Sequence, residues 1–343
     1  MEYQAEESKR QRVLTGDRPT GPLHLGHWVG SLENRLELQD RYECFFVIAD
    51  LHALTTHYDT TEKLRANIRE LILDYLSVGI DPEKSIIYLQ SMIPGVTELA
   101  VLLSMLVTIP RLQRIPTLKE TMHNLEVQQP SLGLLSYPVL QAADILMVGA
   151  HLVPVGADQA AHIEVTREVA HRFNQLYRPV FPIPEILVGE VPSLPGIDGK
   201  AKMSKSLHNA IFLSDDPETV NRKVLSMYTD PTRIRATDPG HVEGNPVFIY
   251  HDIFNADAAE VEELKENYQK GTVGDVEVKD RLSRALNKFL EPIRERRRYF
   301  ETRGENLQDI LREGTEAARR EAQRTLRRVK EAMGMDFWEE YEA

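Results

Sequence analysis

Short apolar runs alternate with amphipathic helical stretches through the first half of this chain, and that order admits few folds. Val13-Leu14 is a candidate strand, and a helix follows from about Gly26 to Leu38. Cys44 to Ala49 is a continuous apolar run rich in β-formers, as expected of a strand buried on both faces of a parallel sheet. Leu64, Ile68, Leu71, Ile72, Tyr75 and Leu76 then mark one face of a helix. Thr60 or Thr61 is placed to cap it, and Gly79 with Pro82 to end it. Ile86 to Leu89 is the next strand. Helices are expected over Val96–Val107 and Pro138–Met147, a strand at Leu152–Val155, and a helix from Gln159 to Asn174. The expected fold is α/β, a Rossmann-like, doubly wound parallel sheet. Ligands bind such sheets at the carboxyl ends of the strands, so Asp17, Asp50, His52, Asp158 and Gln159 are candidates to share one cleft.

Composition changes between Pro179 and Gly199, where five prolines and three glycines mark a connector carrying a loop. From Pro217 onward the patterns are helical only: 217–227, 245–254, 258–270, 275–297 and 305–333. The second half is therefore expected to be a helical domain, with its last helix packing back on the first. The longest apolar run, Ala100 to Ile109, is far below the ~20 residues that span a bilayer. A net charge of -12 argues against a protein that coats DNA, though a local basic patch can still meet a nucleic acid. The single cysteine, Cys44, allows no intrachain disulfide, which fits a reducing cytosol.

Two stretches carry chemistry. Thr15 to Gly30 sets Gly16, Gly21 and Gly26 and two histidines, His24 and His27, between a strand and a helix. Glycines let backbone approach a ligand, and a helix N-terminus attracts anions. It is not a P-loop, because His27-Trp28 stands where Lys-Ser/Thr is required. The second stretch is Lys202-Met203-Ser204-Lys205-Ser206, in a polar, glycine-bearing loop. Its two mobile lysines suit a polyphosphate that moves during reaction.

His24-Leu25-Gly26-His27 resembles the HIGH motif of the class I aminoacyl-tRNA synthetases, and residues 202–206 match their KMSKS motif letter for letter. Tyr137-Pro-Val-Leu-Gln-Ala-Ala-Asp144-Ile-Leu and Val153-Pro-Val-Gly-Ala-Asp158-Gln159 resemble segments of the bacterial tryptophanyl-tRNA synthetase family, as does the small-residue helix from Gly314 to Gly334. The resemblance runs from Val13 to about Gly334. It implies a HUP-type catalytic domain over 12–200 after a disordered lead at 1–11, a KMSKS loop at 201–210, a helical tRNA anticodon-binding domain at 211–300, and a C-terminal helix at 301–343 packing back toward the catalytic domain.

The same resemblance implies residue roles. His24, His27, Lys202, Lys205 and Lys119 would be catalytic. Arg18, Pro19, Thr20, Gly26, His27, Gly156, Ala157, Asp158, Val191, Lys202, Met203, Ser204, Lys205 and Ser206 would bind ATP. Asp144, Tyr137, Gln141, Gln159, His52, Gly16, Val153 and Val155 would bind tryptophan, with a core role for the two valines equally open. Asp144 would accept the indole N–H, a group that can only donate. Phenylalanine would leave that acceptor unpaired. Two residues depart from the family. Gln141 often is Met there, and a glutamine could hydrogen-bond substrate or relax selectivity. Arg18 is often Gln, and a cation there would lie near the substrate carboxylate or the phosphates.

The implied reaction joins the tryptophan carboxylate to the α-phosphorus of ATP, expels pyrophosphate, and transfers tryptophan to tRNA(Trp). Mg²⁺ would be held through the ATP phosphates, with no metal site of the protein's own. A cytoplasmic homodimer is implied, with one tRNA spanning both subunits and neither membrane nor DNA as partner. Arg294, Arg296, Arg297 and Arg298 are a candidate basic patch toward tRNA, or a solvated helix face. Rivals are a tyrosyl-tRNA synthetase, which shares both motifs, a non-catalytic binding protein on the same fold, and a small-molecule nucleotidyltransferase.

Overall fold

The computed structural model describes residues 10–156, 159–188, 194–235, 237–302 and 304–337. Five strands, β1 (Arg12–Asp17), β2 (Glu43–Ile48), β3 (Ser85–Leu89), β4 (Leu152–Val155) and β5 (Glu185–Val188), form one parallel sheet in the order β3-β2-β1-β4-β5. The strand order reverses at β1 and β4, which pair with each other at the centre. A crevice opens beyond the carboxyl ends of strands at such a point.

The helices that follow β1 to β4 cover the sheet. They are α1 (Leu25–His27), α2 (Glu33–Arg41), α3 (Asp50–His57), α4 (Leu64–Val78), α5 (Pro94–Ser104), α6 (Ile109–Leu112), α7 (Pro116–Asn124), α8 (Leu132–Met147) and α9 (Ala160–Leu176). Five more close the chain: α10 (Pro217–Leu225), α11 (Pro246–Phe254), α12 (Ala258–Lys270), α13 (Asp275–Glu301) and α14 (Gly304–Ala332). No helix among the described residues is long and apolar enough to cross a membrane.

Alternation along β2 divides the core. Cys44, Phe46 and Ile48 join one cluster and Phe45 and Val47 the other, because successive side chains leave a strand on opposite faces. The first cluster continues into Leu282, Leu286, Leu290 and Ile293 of α13, so the helical second half shares a core with the sheet. The second cluster takes in α5, α8, α9 and the Ala318, Ala322 and Val329 face of α14. Gly314 of α14 lies so close to β3 that a Cβ there would sit 2.0 Å from the Ile87 carbonyl oxygen.

Several local expectations need correction. Leu64 donates its N–H to the Thr61 carbonyl, so neither threonine side chain caps α4, whereas Gly79 ends it in the left-handed conformation. The helix expected from Pro138 begins at Leu132, where Ser131 Oγ accepts the Leu134 N–H; the proline is carried inside it. The connector at 179–199 contains β5, a four-residue strand that exists through its pairing with β4. The lead's residues 1–9 lie outside the described residues.

Candidate active site

The site is built where β1 ends. Gly16 packs directly on β2; a Cβ there would meet the Val47 carbonyl oxygen at 2.0 Å, so no larger residue fits. Asp17 follows, accepting from Arg35 Nη1 at 2.7 Å and from the Tyr75 hydroxyl at 2.8 Å. Burial pushes its carboxyl up, but the adjacent Arg35 guanidinium overcomes this and holds it at about 2. Neither Arg35 nor Tyr75 was a sequence candidate. Only a long-range contact, invisible in local pattern, joins them to Asp17.

The loop after β1 turns at Gly21, whose φ of 117° favours glycine. Leu23 then donates its N–H to the buried carboxylate of Asp74 at 2.6 Å. His24 caps α1 in an extended conformation, and its N–H donates to His27 Nδ1 at 3.1 Å, so the two rings lie 3.8 Å apart. The His24 ring covers Gly26, where a Cβ would approach it to 3.0 Å. Helical backbone continues from α1 through a π turn, Trp28–Leu32, into α2.

The 202–206 loop docks on this corner. Gly26 donates its N–H to Met203 Sδ at 3.3 Å, and Lys205 Nζ donates to the Gly21 carbonyl oxygen at 2.8 Å. Downstream of the loop, Leu25 N–H meets the Ile211 carbonyl and Leu213 N–H the Leu23 carbonyl. Asn209, buried, scaffolds the loop by accepting the Ser204 N–H at 2.8 Å and donating to Asp198 at 3.1 Å. It also went unread in the sequence.

Electrostatics follow from this packing. Burial lowers His24 to about 3, with His27, Lys205 and Lys202 pushing the same way. Burial likewise lowers His27 to about 4 against the opposing pull of Asp17. Both imidazoles are therefore neutral at pH 7. Burial also lowers Lys205, while Asp17 and Asp74 counteract it.

A cavity of 1320 Å³ lies between the two docked stretches and the ends of β1 and β4. Gly16, Arg18, Thr20, His24, Gly26, His27, Gln141, Val153, Val155, Gly156, Gln159 and Lys202 to Ser206 all reach its wall. So do Asn34, Ile253 and His57, which sequence reasoning did not select. Pro19 is buried beside it rather than on it, and Lys119 is exposed on α7, off the wall, because that helix buries Leu118 instead. Ala157, Asp158 and Val191 lie outside the described residues. Asp50 does not enter the cleft: its carboxylate accepts the N–H groups of Ser91 at 2.9 Å and Leu51 at 3.1 Å.

Asp144, His52 and Tyr137 form a connected group off the cavity wall. Asp144 is 2% exposed, between Gln141 and Ile145 on α8, both of which line the cavity. Its Oδ2 lies 2.8 Å from His52 Nε2, and Gln90 Nε2 donates to both its oxygens at 2.9 and 2.7 Å. Tyr137 packs edge-on to His52 and places its hydroxyl 2.7 Å from His162 Nε2. Such partners satisfy the oxygens of a buried carboxyl group.

The arginines of α13 do not make an open basic face. Arg296 donates to the Ser77 carbonyl, and Arg297 bonds Asp74, Glu70 and Glu301. Arg294 and Arg298 both meet Glu291. Acidic and carbonyl partners at these spacings consume the charge in holding α13 to α4 and in pairing along α13 itself.

Comparison with known proteins agrees with this geometry. The family profile for tRNA synthetases class I (W and Y) matches residues 6–291. A tryptophan–tRNA ligase of Treponema pallidum is 60% identical over 326 residues, covering 94% of this chain and 97% of its own. One from Chlamydia caviae is 56% identical over 315 residues, covering 90% and 91%. The solved tryptophanyl-tRNA synthetase of Campylobacter jejuni, complexed with ADP and tryptophane, superposes with a TM-score of 0.85 at 35% identity, covering 94% of this chain and all of that one. The chain belongs to the class I tRNA synthetases for tryptophan and tyrosine, among the bacterial tryptophan–tRNA ligases.

Proposed function

We propose that the 1320 Å³ cavity is where ATP and L-tryptophan meet, and that its wall carries the first step of tryptophan–tRNA ligation. The carrying observation is the docking of Met203 and Lys205 onto Gly26 and Gly21, 177 and 184 residues away in sequence. It gathers two neutral histidines, two lysines and a helix start at the reversal point of a parallel sheet, an arrangement suited to phosphate.

The enzyme activates tryptophan with ATP, releases pyrophosphate and transfers tryptophan to its tRNA. The tryptophan carboxylate is already ionised at pH 7, so no general base is required for its attack on the α-phosphorus. Catalysis rests on alignment and on charge. Lys202 and Lys205 meet the leaving pyrophosphate, His24 and His27 donate to phosphate oxygens as neutral imidazoles, and Arg18 draws the anionic groups together. Lys205, tied to the Gly21 carbonyl, must exchange that contact for phosphate, so the loop moves during turnover. Asp144 accepts the indole N–H, while Gln159 and Gln141 line the wall beside the amino acid.

Mg²⁺ would be carried on the nucleotide phosphates, since the nearby Asp17 is engaged by Arg35 and Tyr75. When bound it neutralises charge on the phosphates. Tyr137 and Lys119 retain their family roles only if substrate draws them in. The helices over 211–300 are the expected anticodon reader. Exposed Val101 and Leu132 on the paired α5 and α8, with Met105 just past α5, are apolar side chains suited to a second copy, which supports the expected homodimer.

Amino-acid-dependent exchange between ATP and pyrophosphate, run across all twenty amino acids, tests this. Exchange driven by tryptophan alone is expected. Asp144→Ala should lose tryptophan selectivity, and Lys205→Ala should slow exchange about 10²-fold with circular dichroism unchanged. Exchange driven by tyrosine, or normal exchange in Lys205→Ala, overturns the assignment.

A further inference from the structure

Gln90 has no exposed surface and stands where β3 ends, opening a short turn, Gln90–Met92. Its side-chain amide is used in full. Oε1 accepts the N–H groups of Leu51 at 3.1 Å and His52 at 3.3 Å, at the start of α3. Nε2 donates to Asp144 Oδ1 at 2.9 Å and Oδ2 at 2.7 Å. His52, held on that same first turn of α3, reaches Asp144 Oδ2 with its ring. Asp50 completes the tie by accepting the N–H of Ser91, the residue after Gln90. The end of β3, the start of α3 and the middle of α8 thus meet around one carboxylate.

The orientation of this amide is forced. Backbone N–H groups can only donate, so the oxygen of Gln90 must face Leu51 and His52 and the nitrogen must face Asp144. An amide nitrogen offers two donors and accepts nothing. Gln90, donating to both oxygens, therefore sets the plane of the Asp144 carboxylate. A carboxylate has about four lone-pair sites; Gln90 and His52 occupy three contacts, which leaves one for a further donor.

We propose that Gln90 is a positioning residue for tryptophan selectivity: its amide holds the Asp144 carboxylate aimed so that the remaining lone pair accepts the indole N–H. The inference rests on Asp144 being the indole acceptor. A neutral hydrogen-bond partner at this position does what a charged one could not: a lysine would compete as a counter-ion, and a second carboxylate would repel.

The test compares tryptophan with its sulfur isostere, 3-benzothienylalanine, which keeps the shape but has no N–H donor. Pyrophosphate exchange gives kcat/KM for each, from pH 6 to 8, in the wild type, Gln90→Met and Gln90→Glu. The wild type is expected to prefer tryptophan at every pH. Gln90→Met should lower that preference about tenfold or more, mainly through the KM for tryptophan. Gln90→Glu sets two carboxyl groups side by side, which share one proton. At low pH the introduced carboxyl is protonated and donates back to Asp144, so preference should recover; as pH rises the proton leaves and preference should fall. A role confined to packing would change both substrates alike and give no pH-dependent ratio. An unchanged ratio in Gln90→Met, or a pH-independent ratio in Gln90→Glu, overturns the proposal. If Gln90→Glu does not fold, the ratio in Gln90→Met decides. A wild type indifferent between the two substrates instead removes the assignment of Asp144.

Discussion

At the scale of single residues, the two histidines show how burial sets chemistry. An imidazole in water titrates near 6.5, but His24 and His27 are held at about 3 and 4 by burial and by nearby cations. Both are neutral at pH 7. Their lowered pKa values mean that protonation, and with it any loss of function from them, reaches its midpoint for His27 only at about pH 4. His27→Asn should therefore lower pyrophosphate exchange about 10²-fold by the same factor at pH 6 and pH 8. A deficit that shrinks toward pH 6 would mean that a charged His27 matters. The identity of both histidines was legible from their spacing beside Gly26. Their neutrality was not, because it comes first from burial and then from Lys202 and Lys205, which reach them from far along the chain. Asp144 was legible for a different reason: a carboxylate inside the apolar run Val139 to Met147 demands a partner. The partners Gln90 and His52 come from other elements, so that run could not name them.

At the scale of elements, the period-2 and 3.6-residue patterns located β1 to β4 and most helices. They missed β5, because Glu185–Val188 sits among prolines and is strand-like only against β4. They also missed α3, which follows β2 directly and is pinned by Gln90 rather than by its own pattern. The contact of α14 with β3 is similarly nonlocal. Gly314 lets the helix approach until a Cβ would stand 2.0 Å from the Ile87 carbonyl oxygen, and Thr315 Oγ accepts the Leu89 N–H at 3.1 Å. Gly314→Ala should force the helix away and destabilise the protein by about 3 kcal/mol, at the upper end for overpacking. Gly133→Ala, exposed at the start of α8 with only Ser131 Oγ at 3.9 Å from its new Cβ, should be neutral or slightly stabilising. Thermal unfolding of the pair checks this. Equal melting temperatures would show that α14 yields without cost.

At the scale of the whole molecule, a chain of net charge -12 gathers cations around one cavity. Asp17 is central to that balance, joining the end of β1 to Arg35 of α2 and Tyr75 of α4. Its carboxyl is lowered to about 2 from 3.8. A depressed acid pKa contributes stability that is present above about pH 4 and is lost as pH falls toward 2. The contribution is about 2 kcal/mol at neutral pH. Urea unfolding of wild type and Asp17→Asn should differ by that amount at pH 7, and the gap should close between pH 4 and pH 2. A gap that does not change with pH would assign the loss to packing alone. By itself, the sequence determined the parallel α/β sheet, the two phosphate-facing stretches and the buried aspartate, because periodicity, glycine spacing and the cost of a buried charge are local properties. Only the tertiary structure decided which side chains hold those parts in place. Arg35 on Asp17, Gln90 on Asp144, Asn209 under the 202–206 loop and α13 on α4 are pairings between distant segments. A hydrogen bond across such a distance leaves no periodic trace in either segment.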